Sequence, residues 1–151
     1  NSGTDADIYG FMLKAEIYDL NILTAYNSRN ADDDKTSFSG FGGGTLFTNM
    51  DNMIIDAISG GDVDAYVFGA TYAIKDVIIG YAYGKFKRDD TATLAKEDIV
   101  ENNVAAEYAA SDNLTFFAIV TVDEDERNTA TNAINNSGDF TNMRVSASYN
   151  F

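Results

Sequence analysis

Apolar side chains recur at every second position over most of this chain. Tyr9, Phe11, Leu13, Ala15 and Ile17 fall on one face of the first such segment, with Gly10, Lys14 and Glu16 on the other. That is the period of a β-strand, in which successive side chains point to opposite sides. The last segment alternates as cleanly, with Met143, Val145, Ala147, Tyr149 and Phe151 set against Asn142, Arg144, Ser146, Ser148 and Asn150. Between these ends the pattern predicts strands at about Leu20 to Ser28, Asp62 to Ala73, Asp76 to Lys87, Asp98 to Ala109 and Asn113 to Asp123, about seven in all. Most approach the ~9 to 11 residues that a tilted strand needs to cross a bilayer.

The connections alternate between two kinds. Tyr18-Asp19-Leu20, Ile74-Lys75-Asp76 and Ala110-Ser111-Asp112 are short turns that each carry an Asp, a residue that bonds its own nearby backbone and tolerates turn geometry. Long polar loops run from about Arg29 to Gly61, Arg88 to Glu97 and Glu124 to Asp139. Their unequal lengths give no fixed repeat, which excludes a solenoid or propeller and predicts an up-and-down meander. In the first long loop, Leu46, Phe47, Met50, Met53, Ile54, Ala57 and Ile58 recur at helical spacing after a glycine run, with Gly60 and Gly61 placed to stop a helix. Residues 29–61 are therefore expected to form a long external loop with a short helix. It either folds into a channel and narrows it, presenting Asp51 and Asp56, or packs on the neighbouring loops.

Alternation alone fits a soluble sandwich as well as a membrane barrel, and four features favour the barrel. Short turns alternate with long loops, as in outer-membrane barrels. Tyr18, Tyr72, Tyr108 and Tyr149 gather toward the short-turn side, where an interfacial girdle would sit. Lys14, Glu16, Glu101, Glu107 and Arg144 lie mid-strand opposite the apolar face, costly in a dry core and natural as pore-lining residues. Finally, the chain closes on an alternating strand that ends in Phe151.

That closing segment, Arg144-Val145-Ser146-Ala147-Ser148-Tyr149-Asn150-Phe151, resembles the C-terminal strand of Gram-negative outer-membrane proteins. In them the terminal Phe is an assembly signal read by the barrel assembly machinery. The order of parts is similar to the last third of a Campylobacter-type major outer membrane porin: two strands, a long glycine-containing loop, then hairpins with acidic loops. The resemblance implies an all-β, transmembrane, antiparallel up-and-down β-barrel, large and commonly homotrimeric, that passes small hydrophilic solutes by diffusion. It also implies calcium at an acidic constriction, matched here only loosely by Asp51 and Asp56.

Seven strands do not close a single-chain barrel, which has an even number of strands, and an open edge facing lipid would leave backbone groups unsatisfied. Counting back from a periplasmic C-terminus places Asn1 in an external loop. Residues 1–151 are thus expected to be the C-terminal part of one barrel domain of about 16 to 18 strands, with the remaining strands as partners.

Composition removes several chemistries. Among 151 residues there is no His, Cys, Pro or Trp, which excludes a Ser-His-Asp triad, a thiol nucleophile, a zinc finger and disulfides. With 10 basic and 24 acidic residues the formal charge is −14, unsuited to nucleic acid, which requires clustered Lys and Arg. An enzyme is not expected, since no two carboxylates are fixed at a working separation. At 45% hydrophobic and 13% aromatic, the chain is not a disordered acidic protein. The expected function is a passive, cation-preferring porin without a cofactor. Asp32, Asp33 and Asp34, and the run Asp123 to Glu126, offer oxygen ligands through which calcium or another divalent ion could bridge the loops to lipopolysaccharide. The alternative is a soluble secreted acidic β-sandwich, an adhesin or surface-layer module.

Overall fold

The computed structural model describes residues 6–32, 46–55, 58, 60–127 and 139–151, with the side chains of residues 126 and 127 excepted. Seven strands account for most of them: β1 (Ala6–Ile17), β2 (Leu20–Ala31), β3 (Val63–Ile74), β4 (Val77–Arg88), β5 (Glu97–Ser111), β6 (Leu114–Arg127) and β7 (Phe140–Tyr149). They form one antiparallel sheet in sequence order, an up-and-down meander that is not closed. Among the described residues no helix is long and apolar enough to cross a membrane, which says nothing about crossing by strands.

The alternation fixes the register. Tyr9 stands opposite Ser28, Tyr26 opposite Tyr66, Phe68 opposite Tyr83, and Val104 opposite both Tyr81 and Val120. All these side chains share one face. A one-residue slip would move every one of them to the other face, so the patterning leaves little freedom in pairing. At the short-turn end, Tyr18 and Lys75 adopt positive φ of 55° and 54°. The turns are also joined in series. Ala73 N–H donates to Asp19 O at 3.0 Å, Ala109 N–H to Asp76 O at 2.9 Å, and Asn150 N–H to Asn113 O at 3.0 Å. Each hairpin tip thereby extends the ladder of the next strand.

On the long-loop side the strands run further than the sequence pattern predicts. β1 begins at Ala6, β2 continues to Ala31 and β6 to Arg127, with Ala6 paired to Ala31 and Glu97 to Arg127. Arg29 and the acidic residues Glu124 to Glu126 are therefore strand residues rather than loop residues. Polarity made them look like loop. The ladder continues there, Asp123 opposite Glu101 and Asp125 opposite Ile99, with both aspartates buried on the inward face.

The two faces differ in kind. Tyr9, Phe11, Leu13, Tyr66, Phe68, Tyr72, Ile79, Tyr81, Val104, Tyr108, Phe116, Val120, Met143, Val145 and Tyr149 all lie on the convex face and are exposed. Segments such as Val100 to Tyr108 or Leu114 to Val122 cover about 27 to 30 Å along the strand, which a 35 to 45° tilt reduces to about 19 to 25 Å of height. Above this band the same face turns charged, with Lys85 bonded to Asp98 at 3.0 Å. Tyr9, Phe11, Tyr26 and Tyr66 form a ring cluster at that border, with centroids 4.9 to 6.5 Å from the Tyr26 partner. The Tyr26 hydroxyl donates to Asp64 at 2.6 Å.

The hydrophobic core sits on the opposite, concave face and is small. Val63, Ala65, Phe86 and Ile99 from β3, β4 and β5 pack with Ile55 and Ile58 of the loop between β2 and β3, flanked by Leu46, Met50 and Met53. Among the described residues this cluster forms where that loop lies on the sheet.

Candidate functional site

The loop is held at its root by one side chain. Arg29, fully buried near the end of β2, donates from Nη2 to Gly60 O at 2.7 Å and Gly61 O at 3.0 Å, from Nη1 to Ile58 O at 2.8 Å, and from Nε to Gly61 O at 3.2 Å. Gly60 and Gly61 take φ of 70° and 66°, a left-handed conformation that glycine adopts without steric cost. It turns their carbonyls onto the guanidinium. Asn27, two residues earlier on the same face, accepts the Thr48 N–H and hydroxyl, both at 3.2 Å.

The middle of the loop is held by a carboxylate from the far side of the chain. Glu101 on β5, fully buried, accepts the backbone N–H groups of Asp51 at 3.0 Å, Asn52 at 3.2 Å and Met53 at 2.7 Å, and the Asn103 amide at 2.8 Å. Three consecutive N–H groups aimed at one anion form a concave cradle. Directly across β4 from Glu101 stands Gly84, where a Cβ would overlap the Met50 sulfur and touch Phe86. The missing side chain lets the loop descend onto the sheet.

This capture accounts for a difference from the sequence pattern. Among the described residues, 46–54 form turns and bends rather than the expected helix. Leu46, Met50 and Met53 do face the core while Phe47 is exposed, but the N–H groups that a helix would send to carbonyls four residues back go to Glu101 instead. Met50 N–H bonds Met53 O at 2.9 Å, closing a turn in the reverse sense.

Beyond Glu101 the loop reaches the last two strands. Asn52 Nδ2 donates to Asp123 Oδ2 at 2.8 Å. Asp51 accepts Thr121 Oγ1 at 3.1 Å and pairs with Arg144 Nη2 at 2.6 Å. Thr48 and Asp51 are three residues apart, at most about 11 Å of chain. Yet they touch β2 and β7, five inter-strand spacings or about 24 Å apart in a flat sheet. One groove lined by Lys14 and Glu16 of β1, Phe47 and Met50 of the loop and Arg144 of β7 shows the sheet curling around the loop.

Below the loop lies an open groove of about 860 Å³, floored by small residues including Gly69, Thr71, Gly80, Ala82 and Ala105. Glu16 and Arg144 end the same cross-strand row, which runs through Asn21, Thr71, Gly80, Ala105 and Ile119. Only short side chains occupy its middle. Lys14 also lines this groove, toward β1.

Of the residues read as pore-lining, Lys14, Glu16 and Glu107 are exposed on the concave face and Arg144 stands at the groove margin. Glu101 is different: it lies on the predicted face but beneath the loop, a support for it rather than a surface. Asp51 is brought to Arg144, while Asp56, Asp33 and Asp34 lie outside the described residues. Asp32 is exposed, and its backbone carbonyl accepts the Gly61 N–H at 3.2 Å. Among the described residues no three acidic side chains gather as a metal site would require. Phe151 is fully exposed, its ring edge-on to Tyr149 at 5.2 Å. Sequence reasoning did not single out Arg29, Asn27, Asn52 or Thr121. A lone Arg in register with Asn27, facing the same side as the Gly60-Gly61 return, was the available signal. Comparison of the chain with protein-family models, with curated proteins and with solved structures finds no match.

Proposed function

We propose that this sheet is part of the wall of an outer-membrane porin, a water-filled channel through which small hydrophilic solutes and ions diffuse, with loop 46–61 as its constriction. The observation that carries the reading is the reversal of faces. The convex side is a continuous exposed band of apolar and aromatic residues bordered by Tyr and then by charge, whereas the concave side carries Lys14, Glu16, Glu107 and Arg144. Lipid is the solvent that such a band suits. A soluble β-sandwich would cover it with a second sheet, and none of the described residues lies over it.

The open sheet supports the larger barrel. In a meander of seven strands, β1 and β7 run in the same direction, so they cannot pair antiparallel with one another. Their edges need an odd number of further strands, consistent with a total of about 16 to 18. Trimer formation, recognition of Phe151 by the barrel assembly machinery and contact with lipopolysaccharide belong to the same proposal.

The test is reconstitution of the complete protein into planar lipid bilayers after detergent extraction. Discrete conductance steps that scale with salt concentration are expected. A protein that leaves cells without detergent, stays monodisperse in plain buffer and gives no steps would overturn the reading in favour of the soluble module.

A further inference from the structure

Resting on the porin reading, we infer that Asp51 and Arg144 form a charge-cancelling pair at the constriction, so that the loop tip adds no net charge to the passage. Ion preference is then set by whichever member is left unpaired. The geometry supports the pairing. Asp51 Oδ1 and Arg144 Nη2 are 2.6 Å apart, and Asp51 Oδ2 is engaged by Thr121 at 3.1 Å, so both carboxylate oxygens are committed. The partners differ in access to the groove: 10% of the Asp51 side chain is exposed against 53% of that of Arg144. Both line the groove. An acidic loop is expected to draw cations, yet this aspartate is neutralised by a cation from the last strand. Among the described residues, the remaining charges lining the groove, Lys14 and Glu16, lie two residues apart on one face of β1 and are also opposite in sign. By this account the described lining of the narrow region sums to no net charge although the chain carries −14, and its selectivity is poised to move in either direction.

A lone charge about 7 Å from a permeating ion in water is worth about one RT, or about threefold in the local concentration of each ion. Because cations and anions respond oppositely, the permeability ratio should move by about five- to tenfold. The experiment measures reversal potentials of the complete protein in a salt gradient at low ionic strength, where screening is weakest. Asp51→Asn keeps the Thr121 acceptor and frees Arg144, so selectivity should shift toward anions. Arg144→Gln should shift it toward cations, Arg144→Lys should match the parent, and the double variant Asp51→Asn/Arg144→Gln should return toward the parent. Heat-modifiable migration on gels certifies that each variant is folded. Conducting variants whose potentials all match the parent overturn the charge-cancelling pair and leave the pore standing. A shift with Asp51→Asn but none with Arg144→Gln overturns it too, since Asp51 would then be acting as an unpaired charge. A parent without channels overturns the pore itself, and the inference with it.

Discussion

Replacing Glu101 by Gln tests what holds the loop on the sheet. The carboxylate accepts from Asp51, Asn52 and Met53 N–H and from the Asn103 amide, and is fully buried. Hydrogen bonds to a charged group contribute about 1.5 to 3 kcal/mol each, roughly twice a neutral pair. The amide oxygen of Gln keeps one or two of the backbone contacts at neutral strength, while its NH₂ turns a donor toward an N–H group. A loss of about 3 to 4 kcal/mol is expected on that count. Asp123 stands directly across the strand pair from Glu101, and removing one of two opposed like charges offsets about 1 kcal/mol. The net cost to docking is about 2 to 3 kcal/mol, a factor of about 30 to 150 in the docked-to-undocked ratio. Hydrogen exchange followed by mass spectrometry on the complete protein in detergent reads this directly, because the affected amides are those of Asp51, Asn52 and Met53. Their protection should fall by that factor, while strand amides in β3 and β4 stay protected. Unchanged protection of the three amides would refute the account of the loop as anchored through Glu101.

Further outcomes follow from the same contacts. Arg29→Ala leaves the buried carbonyls of Gly60, Gly61 and Ile58 without their donor and should lower stability by about 3 to 5 kcal/mol, seen as a lower melting temperature and cleavage near Gly60 in limited proteolysis. Gly84→Ala should raise loop cleavage by overpacking against Met50, at about 1 to 3 kcal/mol. Met50→Ala should relieve it, and Gly69→Ala, where the nearest atom is Tyr81 O at 3.9 Å, should behave like the parent. Val104→Arg, at a convex position 59% exposed, should cost about 2 to 4 kcal/mol near a bilayer midplane, abolishing heat-modifiable folded protein. An effect within about 0.5 kcal/mol, normal for a water-exposed site, would count against lipid on that face.

Most of the sheet was legible because alternation and the short turns are local signals. Phe11, Leu13 and Ala15 name their face without reference to any other strand, and Asp19 and Asp76 mark turns within a few residues. The site was legible in part. Asp51 and Arg144 were singled out separately, and nothing local says that they meet, because the contact joins residues 93 apart. The helix expected over the loop misread a true signal. The one-sided apolar spacing of Leu46, Met50 and Met53 reflects packing on Phe86 and Ile99, and the backbone conformation was decided by a carboxylate about 50 residues away. Arg29 and Glu124 to Glu126 were read as loop residues because polarity normally marks loops; here it marks the ends of strands.

The loop leaves the chain after β2, but its landing points lie on β5, β6 and β7, at sequence separations of 50, 70 and 93. Contacts so distant in sequence form after the strands between them are in register. During assembly the loop gains its main seat, the core on β3 to β5 and the Glu101 carboxylate, only once β5 is in register, and its tip gains Thr121 and Arg144 only when β6 and β7 follow. The order is built into the connectivity: sheet first, loop after. Onset of protease resistance at residues 46–55 would then serve as a clock, reporting when β5 has arrived rather than when the loop itself is made.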